Sequence, residues 1–328
     1  MYNKNMKKIS ILLVLTLFFC CSIQIPCQAG FFAEQKARIE YNRANKATVS
    51  DIKKLIQEQN MYANKHDLEA LLTLYCSDFV NSDGFKLDIY KELIKETWEI
   101  YPDITYETKI KNIDFSDNYA TVLVEETAVA TQKEYIDGDE HIGELYSTSR
   151  CVYFLEKHGA KWSISSERII EESSTLKYGG TRYLDIELNT PKQVSSGKYY
   201  TATLKIKAPE GAIAVGSIGR EKIVYPQVKM DDAYRKLSQD NVLERVFLSN
   251  TDNVNEYTVA SVMVTEPPEY MKNGQVRIYM GGMAFVMTRV NVVPENKFIK
   301  DKKDGKCKLI NIFCCMLCVF YFCNSVFI

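Results

Sequence analysis

Thr48-Val49-Ser50-Asp51-Ile52-Lys53-Lys54-Leu55-Ile56-Gln57-Glu58-Gln59 opens the stretch that decides the fold. Thr48 with Asp51 has the pattern of a capping box, and Ile52, Leu55, Ile56, Gln59 and Ala63 then share one face at helical spacing. Asp67 is placed to cap a short second helix carrying Leu68, Leu71, Leu72 and Tyr75. A third helix is expected from about Lys86 to Tyr101, with Leu87, Tyr90, Ile94, Trp98 and Tyr101 on a single stripe and Pro102 after its end. Strand periodicity then takes over in Tyr106 to Ile110, Tyr119 to Gln132, Gly143 to Leu155 and Trp162 to Ile170, with Ala120, Val122 and Val124 on one face. Asp137-Gly138-Asp139 and Lys157-His158-Gly159-Ala160 mark turns. Amphipathic helices followed by a meander predict an α+β domain over 48–172, a helix layer packed into a curved antiparallel sheet of conical shape. The concave face of such a sheet is a natural pocket.

Beyond this stretch the composition changes. Ser173 to Gly180 is rich in Ser, Gly and Thr and is expected to be a linker. Short alternating runs recur from 181 to 298: Tyr183 to Leu188, Tyr199 to Lys207, Val242 to Phe247, Tyr257 to Val264, Val276 to Met280 and Phe285 to Val293. Turn signals separate them, so an all-β, sandwich-like second domain is expected. Gly216-Ser217-Ile218-Gly219 lacks the register of a nucleophile elbow and is read as a turn between strands.

The two ends have a different character. Lys4, Lys7 and Lys8 precede the apolar run Ile9 to Ile23, and Cys27-Gln28-Ala29 offers small residues at a cleavage site, so 1–29 is expected to be a signal peptide. Residues 30–47 are a linker or lead-in helix. Residues 299–308 form a basic linker before the uncharged tail 309–328, which is long enough to span a bilayer. The lysines before the tail run against the positive-inside tendency for an exported protein. Three readings of the tail stay open: a membrane anchor, a peptide buried against a partner, and an extension outside the original reading frame.

The chain has 328 residues, 41 basic and 42 acidic, for a net charge of −1, which carries no electrostatic footprint for nucleic acid. Of ten cysteines only Cys76 and Cys151 lie outside the two ends, and they are read as two separate buried thiols. His66, His141 and His158 are scattered, so no metal site and no cofactor is expected.

Tyr62-Ala63-Asn64-Lys65-His66-Asp67-Leu68-Glu69-Ala70-Leu71-Leu72-Thr73-Leu74-Tyr75-Cys76-Ser77-Asp78-Phe79-Val80 resembles the helical opening of nuclear transport factor two-like (SnoaL-like) domains. Lys157-His158-Gly159-Ala160-Lys161-Trp162-Ser163-Ile164 resembles the hairpin near that family's C-terminus. The resemblance covers 50–172 and implies a conical barrel whose mouth holds a small molecule, in a family of isomerases, cyclases and non-catalytic binding modules. A ketosteroid-isomerase-like mechanism needs a carboxylate base and two oxyanion donors in an apolar cavity. Tyr62 is a candidate donor, Asp78 and Asp83 are candidate carboxylates, and Glu125 (of the Glu125-Glu126 pair) and Arg150 are candidate strand residues for ligand binding. Trp98 and Trp162 are read as core residues.

The preferred expectation is an exported binding or assembly module of the cell envelope, without catalysis. Its partner is a small ligand or an envelope protein, with dimerisation and a membrane contact through 309–328 left open. The alternative is a small-molecule isomerase, cyclase or hydrolase, distinguished by a carboxylate in an open apolar cavity.

Overall fold

The computed structural model describes residues 46–136, 139–226, 234–237, 240–271 and 274–295. The expected signal peptide, the tail and the Asp137-Gly138 turn lie outside them. The first half runs α1 (Lys46–Asn64), α2 (Leu68–Leu72), β1 (Tyr75–Asn81), α3 (Leu87–Ile100), β2 (Thr105–Ser116), β3 (Tyr119–Ile136), β4 (Asp139–His158) and β5 (Lys161–Gly179). Then follow β6 (Ile186–Asn189), β7 (Gln193–Ser195), β8 (Tyr199–Ile206), β9 (Ala214–Lys222), β10 (Arg235–Lys236), β11 (Val242–Leu248), β12 (Glu256–Thr265), β13 (Glu269–Tyr270), β14 (Val276–Arg277) and β15 (Met280–Val293). The described chain is therefore mostly strand, with few helices.

The three helices stand where the periodicity puts them, although α1 is already helical at Lys46, so Thr48 lies inside it rather than capping it. Asp67 caps α2 by accepting the Ala70 N–H at 3.1 Å, and Ile52, Leu55 and Ile56 on α1 are buried. The second helix ends earlier than expected: Tyr75 begins β1, which pairs in parallel with β5. Tyr75 and Phe79 turn into the core there, while the intervening Ser77 and Asp78 face out.

One large sheet runs in the order β10-β9-β12-β15-β5-β4-β3-β2, with β1 added to β5 and β7 to β15. The stretch 173–180, expected as a linker, is the C-terminal part of β5 and its exit. Ser173 to Gly179 pair with Thr288 to Gly282 of β15 on one side, while Ser173 to Tyr178 pair with Thr148 to Gly143 of β4 on the other. Its small residues serve close strand contact rather than chain flexibility. A Cβ at Gly282 would meet the Tyr178 carbonyl at 2.5 Å and the Thr181 amide at 2.7 Å, so only glycine lets β15 approach there. The expected turn Gly216-Ser217-Ile218-Gly219 is likewise the middle of β9, with Ser217 and Ile218 buried between β10 and β12. A Cβ at Gly216 would press on Leu204 and Leu237, each at 3.1 Å.

Two cores lie on opposite faces of this sheet. On one face Ile52, Leu55, Phe79, Val122, Val124, Tyr153 and Trp162 pack beneath the helices. Trp162 plugs this core as expected, and Cys76 and Cys151 are buried free thiols. On the other face the three-stranded sheet β11-β8-β6 supplies Phe247, Ala202, Leu204 and Leu188 to a core shared with Ile218, Ala260, Val262, Val286 and Val290 of β9, β12 and β15.

Candidate functional site

The site lies on the helix-covered face, and strand parity builds it. Along β3 the buried set Ala120, Val122, Val124 continues two residues further to Glu126, so a carboxylate follows three apolar side chains onto the same face. On β5 two bulges opposite β4 leave Ser165 and Ile170 without partners. Each bulge reverses the alternation, which brings Glu167 opposite Tyr153 and Glu172 opposite Ser149. Without them, simple alternation from Trp162 and Ile164 would turn Glu167 outward.

A cavity of about 330 Å³ opens between α1, α3 and strands β2 to β4. Gln59 and Ala63 of α1, Tyr90, Ile94 and Trp98 of α3, Tyr106 of β2 and Glu126 of β3 are among its walls. Trp98, expected in the core, packs against it while also lining this cavity. Its Nε1–H donates to the Tyr106 hydroxyl at 3.3 Å, and the His66 ring stacks on the indole with centroids 4.6 Å apart.

Glu126 is the polar centre of the cavity. The Tyr153 hydroxyl donates to its Oε1 at 2.7 Å and Ser149 Oγ donates to its Oε2 at 3.3 Å. Gln59 Nε2 in turn donates to Tyr153 at 3.0 Å and to Tyr75 at 2.9 Å, fixing both phenols. Burial holds the Glu126 carboxyl above the usual carboxylate range, partly offset by the hydrogen bonds from Tyr153, Ser149 and Thr108. Burial also raises the Tyr153 and Tyr75 phenols, with the charge of a neighbouring glutamate adding to it. Behind them Glu167, buried with an Oε2 that accepts no hydrogen bond, is pushed up to about 8 by burial first and then by the charges of Glu126, Glu172 and Asp83.

Glu126, Cys151 and Glu167 each place one ligand atom within 4.8 Å of the others, a spacing compatible with a metal ion. Burial raises the Cys151 thiol, and its S–H donates toward Ser149 Oγ at 3.4 Å and Glu126 Oε2 at 3.8 Å. The protonated thiol is therefore the form this packing favours, whereas a metal requires the thiolate.

Next to this group Arg289 of β15 is fully buried and ion-pairs with Asp83, with Glu172 Oε2 3.7 Å from its Nη1. Tyr257 donates to Glu172 at 2.9 Å, and Asn255 donates to Asp83 at 2.7 Å. Asp83 is thus committed to an ion pair with the second half of the chain.

The other residues singled out in the sequence are placed elsewhere. Tyr62 packs, half-buried, against the helix-side core and is not part of the cavity wall. Asp78 is exposed on β1. Glu125 pairs with Lys111 at 2.7 Å and Arg150 lies 4.0 Å from Glu171. Glu125 and Arg150 come together in a polar depression of about 550 Å³ that also includes Lys192. Polar side chains of the cavity wall are instead Gln59, Asn60, Thr108, Glu126, Tyr153 and Glu172 among others, while Glu167 lies beside Glu126 outside the wall.

No protein-family profile and no curated protein matches the chain. Among solved structures, it is similar over 37% of its length to Bd1075 of Bdellovibrio bacteriovorus, at 14% identity, with a TM-score of 0.31 and 39% of that chain covered. It is similar over 39% of its length to a putative scytalone dehydratase from Novosphingobium aromaticivorans, at 17% identity, with a TM-score of 0.33 and 86% of that chain covered. A hexachlorocyclohexane dehydrochlorinase (LinA) of type 2 aligns over 40% of this chain and 87% of its own, at 13% identity and a TM-score of 0.33.

Proposed function

We propose that this chain is a small-molecule-binding protein whose ligand occupies the cavity between α1, α3 and β2 to β4. The observation that carries the reading is Glu126, a carboxylate set among aromatic side chains in an open cavity. Small-molecule sites combine an apolar, aromatic wall with a few convergent polar groups, at volumes of roughly 300–1,000 Å³. The resemblance of 50–172 to nuclear transport factor two-like domains supports the same use of the pocket. Export, which the composition of residues 4–29 supports, belongs to the proposal.

A second reading, proton transfer on the bound molecule, is favoured by one further observation. Glu126 has a raised pKa and a phenol hydrogen-bonded to it, the pairing that acid–base chemistry on a carbonyl compound uses.

Filling the cavity tests the binding reading. Ala63→Phe places a ring in the lined space, and a melting curve confirms that the variant folds. Indole, 2-naphthol and benzylamine, followed by ligand-observed NMR, are expected to bind the wild-type chain and to lose at least about tenfold in affinity to the variant. Absence of binding to the wild type, or binding unchanged by Ala63→Phe, would overturn the reading.

A further inference from the structure

We propose that the ligand of this cavity is a small organic cation, an amine or quaternary ammonium compound, held by the Glu126 carboxylate and the surrounding aromatic rings. The inference rests on the cavity-binding reading above and names the chemistry of its ligand.

Charge is the first argument. Asp83, Glu126, Glu167 and Glu172 are clustered behind and along the cavity wall, and Arg289 is the guanidinium set among them. Arg289 is spent on Asp83 and Glu172. Glu126 and Glu167 present oxygens within 4.8 Å of each other, and among the described residues no ion pair joins either to a basic side chain. The lining contains no lysine, arginine or histidine. An anionic ligand would add to this uncompensated charge, and a neutral one would leave it unchanged. A cation would offset it.

The second argument is the buried acceptor that the protein leaves empty. Glu167 is only 5% exposed, yet its Oε2 has no donor. Buried oxygens without partners are rare in folded proteins, and this carboxyl, though not itself in the cavity wall, has an oxygen within 4.8 Å of one on Glu126, which is part of that wall. Burial is the first cause that raises Glu126, Glu167 and Glu172, and at Glu167 the charges of Glu126, Glu172 and Asp83 add to it.

The third argument is the wall itself. Tyr75, Tyr90, Trp98, Tyr106 and Tyr153 line the cavity. An aromatic face carries a negative quadrupole, and rings gathered around a carboxylate form the surroundings in which an ammonium group replaces its hydration. His66 already uses the Trp98 ring as a stacking platform.

A matched pair of probes separates charge from shape. Choline and 3,3-dimethylbutan-1-ol differ in one atom, nitrogen against carbon, and so in charge but hardly in size. Calorimetric titration of the full chain at pH 8.5 is expected to show choline binding at least about tenfold tighter than the alcohol. Glu126→Gln should remove most of that preference, weakening choline far more than the alcohol. Should Glu126→Gln fail to fold, Trp98→Leu serves instead and should weaken choline more than the alcohol. Equal affinities for the two probes, or a preference insensitive to both variants, would overturn the cation and leave the cavity reading standing. Failure of both probes to bind would overturn the cation, and the cavity reading falls with it only where indole and 2-naphthol also fail to bind.

Discussion

Replacing Glu167 by glutamine is expected to make the protein more stable at pH 9, by about 3–5 kcal/mol, and to change its stability little at pH 4. The folded chain holds this carboxyl up at about 8, against an ordinary value near 4.5. Burial is the main cause, and Glu126, Glu172 and Asp83 add to it. A group whose pKa is raised by folding contributes its full stabilisation below the unfolded value. It loses that contribution as pH rises through the folded value, here between about 4.5 and 8. The unfolded chain releases the proton early and gains from doing so, while the folded chain must either keep it or bury a charge. Glutamine has no proton to lose, so the variant escapes the penalty. Urea titrations of both proteins at pH 4, 6, 8 and 9 read the difference directly. A gap that stayed constant over this range would show that Glu167 is solvated and that the cluster is not as closed as its packing indicates.

Arg289→Met should have an effect of similar size and opposite sign, a loss of about 3–5 kcal/mol at neutral pH. The arginine side chain is inaccessible to solvent, as is nearly all of the Asp83 side chain it meets. Its Nε also donates to Asn291 Oδ1 at 2.9 Å, which fixes the guanidinium plane. Methionine fills much of the same volume but leaves Asp83 and Glu172 without a cation. A buried pair is weak evidence for stability when whole, yet breaking one costs heavily because the remaining charge is stranded. Asp83→Asn in the same background should therefore recover part of the loss, and the double-mutant cycle should show strong coupling. Additive losses in that cycle would mean that the two residues do not act as a pair. Because Asp83 follows β1 and Arg289 is on β15, this ion pair also ties the two halves of the chain together.

Much of this fold can be read from the sequence, and the exceptions have identifiable causes. The helices are legible because Ile52, Leu55 and Ile56 repeat at helical spacing and Asp67 signals its cap. The stretch 173–180 reads as a linker because Ser, Gly and Thr usually mark loops, whereas here small side chains let β15 come close to β5. Of the adjacent glutamates on β3, sequence alone points to Glu125 for ligand binding, whereas Glu126 lines the cavity. Extending Ala120, Val122 and Val124 by two residues gives Glu126, so that signal was available. Glu167 could not be found this way, because the bulge at Ser165 reverses the alternation before it; the bulge at Ile170 reverses it back, so Glu172 keeps the parity of Trp162 and Ile164 and is within reach of the same signal. The stripe through Tyr90, Ile94 and Trp98 was legible as apolar, but a stripe that lines a cavity and one that fills a core have the same periodicity.

The most direct test of a ligand-binding cavity is a crystal structure of the full chain grown with saturating choline. The account predicts density for the trimethylammonium group beside Glu126 and within about 6 Å of the Trp98 ring or a tyrosine ring of the cavity wall. A cavity that stays empty at saturation, or choline bound only at other surfaces, would contradict it.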